Sequence, residues 1–88
     1  MRDKKFGVIT FKSTSHAMKG ESIFKDEDVK FRIIPTPREI SHSCGLSIKF
    51  NLEDLKLTKD IILRNNMDID GIFKILRDIH GNHVEKLN

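Results

Sequence analysis

The feature that most constrains this chain is the order in which its hydrophobic period changes along the sequence. Phe6 to Phe11 (FGVITF) is apolar at nearly every position and rich in β-branched and aromatic residues, as in a strand covered on both faces or lying centrally. Ser13-Thr14-Ser15 then offers a helix cap, and Ala17, Gly20, Ile23 and Phe24 recur at helical spacing, which predicts a helix ending near Asp26 to Asp28. Gly20 inside it lowers helix propensity and suggests close packing on a sheet. Val29, Phe31 and Ile33 alternate with more polar neighbours up to Pro35, and Leu46, Ile48 and Phe50 alternate with Ser47, Lys49 and Asn51, so two further strands are expected. A second helix is predicted from about Leu52 to Arg64, with Asn51 as N-cap and Asn65-Asn66 as a left-handed exit. Gly71 to Leu76 (GIFKIL) reads as a fourth strand, and Arg77 to Asn88 as a frayed tail or a short helical turn.

The order β-α-β-β-α-β is satisfied most simply by an α+β, ferredoxin-like sandwich: a four-stranded antiparallel sheet with two helices on one face. With 88 residues there is room for one domain, its core at about 6–76 and its tail at 77–88, and no room for a large buried catalytic cavity. The charged start from Met1 to Lys5 runs straight into a strand rather than a signal peptide, and no apolar run approaches a membrane span, so a soluble, cytoplasmic protein without membrane association is expected.

The formal charge of +3 is uneven: residues 1–50 carry ten Lys/Arg and six Asp/Glu, and residues 51–88 carry six and seven. That suits a weak anion preference near the N-terminal elements but is not the dense stripe of a dedicated nucleic-acid binder. RNA-recognition domains share the predicted element order, yet they need aromatic platforms on the open sheet face. Here the third strand offers Ser47 and Lys49, and the six Phe residues fall mostly on predicted core positions.

The hairpin connection Pro35 to Gly45 (PTPREISHSCG) is about twice the usual two to five residues. It holds both prolines and the single cysteine, which excludes an intrachain disulfide, a CxxC pair and most of a zinc site. Thr36-Pro37-Arg38-Glu39 has the form of a capping box with proline at the first helical position, predicting one helical turn from Pro37 to about His42. That turn would set Arg38 and His42 on one side just before Cys44, with Gly45 letting backbone approach a small ligand. Arg38, His42 or Lys49 could lower the Cys44 pKa and make a reactive thiolate; the competing reading is a small hydrophobe tucked under the loop, and spacing alone favours the latter. No metal site is expected, since only His80 and His83 in the tail have ligand-like spacing. His16, at the start of the first helix, is a candidate anion-binding residue on the same sheet edge as the loop.

The segments Val8-Ile9-Thr10-Phe11-Lys12-Ser13-Thr14, His16-Ala17, Ile34-Pro35-Thr36-Pro37-Arg38-Glu39-Ile40-Ser41 and Ser43-Cys44-Gly45-Leu46 resemble the DUF3343 family of Se/S carrier protein-like sequences over most of residues 6–76. The resemblance implies that Cys44 is a carrier thiol holding a transient sulfur or selenium atom as persulfide or selenopersulfide, with no resident cofactor. Arg38 and His42 would stabilise the anion, and Thr36, Pro37, Glu39, Ser43, Gly45 and His16 would belong to the surrounding anion- or ligand-binding region. The implied partners are a donor such as a cysteine desulfurase and an acceptor enzyme, which makes the chain a carrier rather than a turnover enzyme. The competing reading is a non-catalytic ferredoxin-like module that binds a small ligand, regulates, or forms a homodimer through its sheet.

Overall fold

The computed structural model describes residues 4–41 and 45–88. The elements are β1 (Lys4–Thr10), α1 (Thr14–Asp26), β2 (Phe31–Pro35), β3 (Leu46–Phe50), a 3-10 turn (Leu52–Asp54), α2 (Leu55–Arg64), β4 (Gly71–Asp78) and β5 (Gly81–Lys86). All five strands form one antiparallel sheet in the order β2-β3-β1-β4-β5. The first four strands keep the arrangement expected from the segment order. The fifth corrects the reading of residues 77–88 as a frayed tail or helical turn, and with it the count of four strands. Asp78 Oδ1 accepts from the His80 backbone N–H at 2.8 Å, and Gly81 takes φ = 127°, a backbone region that side chains disfavour. Together they reverse the chain so that β5 pairs with β4 from Asp78↔Gly81 to Phe73↔Lys86.

β1 lies centrally, as its continuous apolar run predicts, and Phe6 through Thr10 are buried. On one side of the sheet, Ile9, Ile48, Phe50 and Ile72 pack with Phe24 of α1 and Ile61 and Ile62 of α2, so both helices cover the same face. Ser13 caps α1, its hydroxyl accepting from the His16 N–H. A Cβ on Gly20 would come within 2.9 Å of the Phe11 ring, so the glycine permits the close approach its position suggested. Asn51 makes no side-chain cap; the helical segment begins as a 3-10 turn in which the Asn51 carbonyl accepts from the Asp54 N–H at 2.9 Å, whereas Asn66 takes the left-handed exit at φ = 50°. Arg64, bonded to Glu27 and Asp60, joins the C-terminal ends of the helices.

Thr58 of α2 is fully buried, and its hydroxyl has no hydrogen-bond partner among the described residues. Thr58→Val removes that orphaned group at nearly constant volume. The substitution is expected to stabilise the fold by about 1 kcal/mol and raise the Tm by roughly 4–8 °C in a thermal melt. An unchanged or lowered Tm would mean that the hydroxyl is satisfied in solution.

Candidate functional site

Antiparallel register divides the sheet's side chains into two sets. Phe6 and Val8 of β1, Ser47 and Lys49 of β3, Arg32 and Ile34 of β2, and Phe73, Ile75 and Arg77 of β4 point away from the helices. On this second face Phe6, Val8 and Ile75 form a small separate core, and Ile34 and Ile40 pack against it. The long β2–β3 connection therefore folds back over the sheet, with Ile40 as its apolar anchor and Pro37 buried.

Local bonds hold this connection. The Thr36 N–H donates to the Gly45 carbonyl at 2.9 Å, extending the β2–β3 ladder by one step, and Thr36 Oγ1 lies 2.7 Å from Ser47 Oγ. The Pro37 carbonyl accepts from both Ile40 N–H and Ser41 N–H, which closes one helical turn. The turn is thus present, but the capping box is not. The Thr36 hydroxyl is engaged across the hairpin by Ser47, and the Glu39 carboxylate reaches Arg77 on β4 at 3.4 Å instead of the Thr36 amide. Gly45 sits at the ladder's end, where a Cβ would stand 3.4 Å from Thr36 Oγ1. His42, Ser43 and Cys44 lie outside the described residues.

Beside the turn is an open cleft of about 600 Å³, lined by Phe6, Ile34, Thr36, Arg38, Lys49 and Arg77 among others. Its floor is the Phe6 ring, only 6% exposed. Lys49 Nζ lies 4.6 Å and Arg77 Cζ 5.2 Å from that ring's centroid, so two cations share one aromatic surface. Glu39 compensates Arg77; Arg38 and Lys49 have no carboxylate within ion-pair distance among the described residues. The cleft is consequently cationic at the foot of the loop that leads to Cys44. Burial of Phe6 beneath the turn also withholds the β1 aromatic that an RNA-recognition surface would need to stack a base.

His16 occupies a different environment. It leaves the same end of the sheet on the helical side, with Nδ1 2.7 Å from Ser13 Oγ and Nε2 3.4 Å from Asp68 Oδ2. Together with Lys19, Gly20, Asn66 and Met67 it borders a separate cavity of about 250 Å³. Thr36, Pro37, Arg38, Glu39 and Gly45 are therefore gathered into one loop as the sequence suggested, and Phe6 and Arg77 join them unforeseen. The signal for Arg77 was present: Phe73, Ile75 and Arg77 continue one period-two series past the expected end of the strand. Among the described residues, no three His, Cys, Asp or Glu side chains converge as metal ligands, and no helix is long and apolar enough to cross a membrane.

Comparison with known proteins places these features in a family. No solved structure matches the chain. Uncharacterized protein MJ0011 of Methanocaldococcus jannaschii is 42% identical over 48 residues, a match covering 54% of this chain and 24% of that protein, so the chain spans well under half its relative's length. A family model described as "Putative Se/S carrier protein-like" matches residues 6–74, from β1 through the long β2–β3 connection into β4. The chain belongs to this Se/S carrier protein-like family.

Proposed function

We propose that this protein carries sulfur or selenium on Cys44. The observation that carries the reading is the family match across residues 6–74, which includes the whole connection holding the chain's one thiol. In the transfer step, the Cys44 thiolate attacks the terminal sulfur of a donor persulfide, R–S–SH. A new S–S bond forms on Cys44, the donor's S–S bond breaks, and its electron pair leaves with the donor thiolate, while the proton stays on the transferred sulfur. A selenopersulfide donor, R–S–SeH, reacts in the same way. The exchange is redox-neutral and needs no resident cofactor. A thiolate is favoured by nearby cations, and the cleft at the foot of the loop holds Arg38, Lys49 and Arg77. A carrier must pass its cargo between two proteins, a donor such as a cysteine desulfurase and an acceptor enzyme, and that task needs no deep catalytic pocket, which suits a chain of 88 residues.

The test is intact-mass analysis after incubation with a cysteine desulfurase and L-cysteine, or L-selenocysteine, without added reductant. Wild type is expected to gain the mass of one sulfur or selenium atom and to lose it on adding dithiothreitol, and Cys44→Ser should gain nothing. An adduct of the same size on Cys44→Ser, or none on either protein, would rule out the carrier role.

A further inference from the structure

The sheet face opposite the helices concentrates positive charge to a degree that the overall composition conceals. By register, Lys4, Arg32, Lys49, Arg77 and Lys86 point to this side, and Arg38 borders its cleft. No strand contributes an acidic side chain to it, since Asp78 and Glu85 fall on the helical side, and Glu39 of the turn is the one carboxylate that the described loop brings over it. Among the described residues six cations thus face one carboxylate, in a chain whose whole formal charge is +3, so the remaining charges sum to a net negative value. The cations span the sheet. Arg32, Lys49, Val8, Phe73 and Lys86 form one cross-strand row from edge β2 to edge β5. Four strand spacings make that row about 19 Å long.

We infer that this face docks an acidic segment of a partner protein, seated in the cleft over Phe6 and running across the sheet. A row of that length exceeds what a single inorganic anion can neutralise, and charge complementarity over it favours a polyanionic chain. Nucleic acid is the poorer match: the chain has no Tyr or Trp, Phe6 lies 6% exposed under the turn, and half-buried Phe73 is the one other aromatic that the described strands turn to this face. Glu39 gives the site a specific sign. Its carboxylate already holds Arg77 at 3.4 Å, as a partner's Asp or Glu would. An incoming carboxylate therefore competes with Glu39 for Arg77. The inference stands on the charge layout and does not require Cys44 to carry sulfur.

The test measures fluorescence anisotropy of a labelled Glu/Asp-rich peptide with the full-length chain in a Cys44→Ser background, which removes any contribution from thiol chemistry. Lys49→Glu is expected to weaken binding about ten-fold, and Arg38→Glu, at an exposed turn position where folding is not at stake, by a similar factor. Lys56→Glu makes the same change in net charge on α2 and should have little effect. Glu39→Gln should tighten binding several-fold, because it removes the internal competitor, and added salt should weaken all of these complexes. The inference is overturned if Lys56→Glu weakens binding as much as Lys49→Glu, or if Glu39→Gln loosens it. It is equally overturned if single-stranded RNA displaces the peptide at lower concentration than the unlabelled peptide does, or if inorganic phosphate does so.

Discussion

Gly7→Ala is expected to destabilise the protein by about 1–3 kcal/mol and to lower its Tm by roughly 5–20 °C. Gly7 lies in the central strand opposite Phe50, and a Cβ there would overlap the outer atoms of the Phe50 ring. The ring has little room to give way: Phe50 is 2% exposed and belongs to the same cluster as Phe24, Ile9 and Ile61. Relief would require β1 and β3 to separate or the ring to leave its rotamer, and close-packed interiors resist both. A second substitution separates this steric account from simple strand propensity, by which Ala would be no worse than Gly. Phe50→Leu removes the outer ring atoms that the new methyl would strike. In a double-mutant cycle, Gly7→Ala/Phe50→Leu should therefore be more stable than the sum of the single effects predicts, by about 1 kcal/mol or more. Additive losses, or a Gly7→Ala protein that melts with wild type, would show that the strand pair accommodates the methyl.

This close approach was invisible in the sequence, whereas the strand containing it was plain. Phe6 to Phe11 reads as a buried strand because every position is apolar or small, and α1 and α2 read as helices because Ala17, Phe24, Thr58, Ile61 and Ile62 recur at helical spacing. These are local signals, set by one element's own contacts. The relation of Gly7 to Phe50, or of Phe6 to Arg77, depends on register between strands distant in sequence, and no local pattern encodes it. The long β2–β3 connection was legible as unusual from its length and two prolines. Its capping box was not realised because Ser47 and Arg77, one across the hairpin and one on β4, compete for Thr36 and Glu39. β5 escaped notice for another reason. Every residue of GNHVEK is exposed, so it carries no inside-outside alternation, and its strand character comes from pairing with β4.

That pairing leads to the second large effect. Truncation after Asp78 is expected to remove about 2–5 kcal/mol from a domain whose length implies only about 4–13 kcal/mol in total. The lost segment covers the edge of β4 over six residue pairs. It also closes the sheet onto the helices: Leu87 packs against the main core, its N–H donates to the Ile72 carbonyl at 2.8 Å, and its carbonyl accepts from Lys59 Nζ on α2. Asn88 Oδ1 accepts from the Ile72 N–H at 3.0 Å, so truncation strips both backbone groups of a residue that is 4% exposed. A bared β4 edge presents unpaired amides and carbonyls to other chains, and the truncated protein should associate with rising concentration in light scattering behind a sizing column. Gly81→Ala probes the same hairpin without shortening the chain. At φ = 127° a Cβ is strained although the surrounding space is open, so a smaller loss of about 1–3 kcal/mol in the same direction is expected. If truncation left the Tm unchanged and the protein monomeric, β5 would contribute nothing to the fold, and the original picture of a frayed tail would stand.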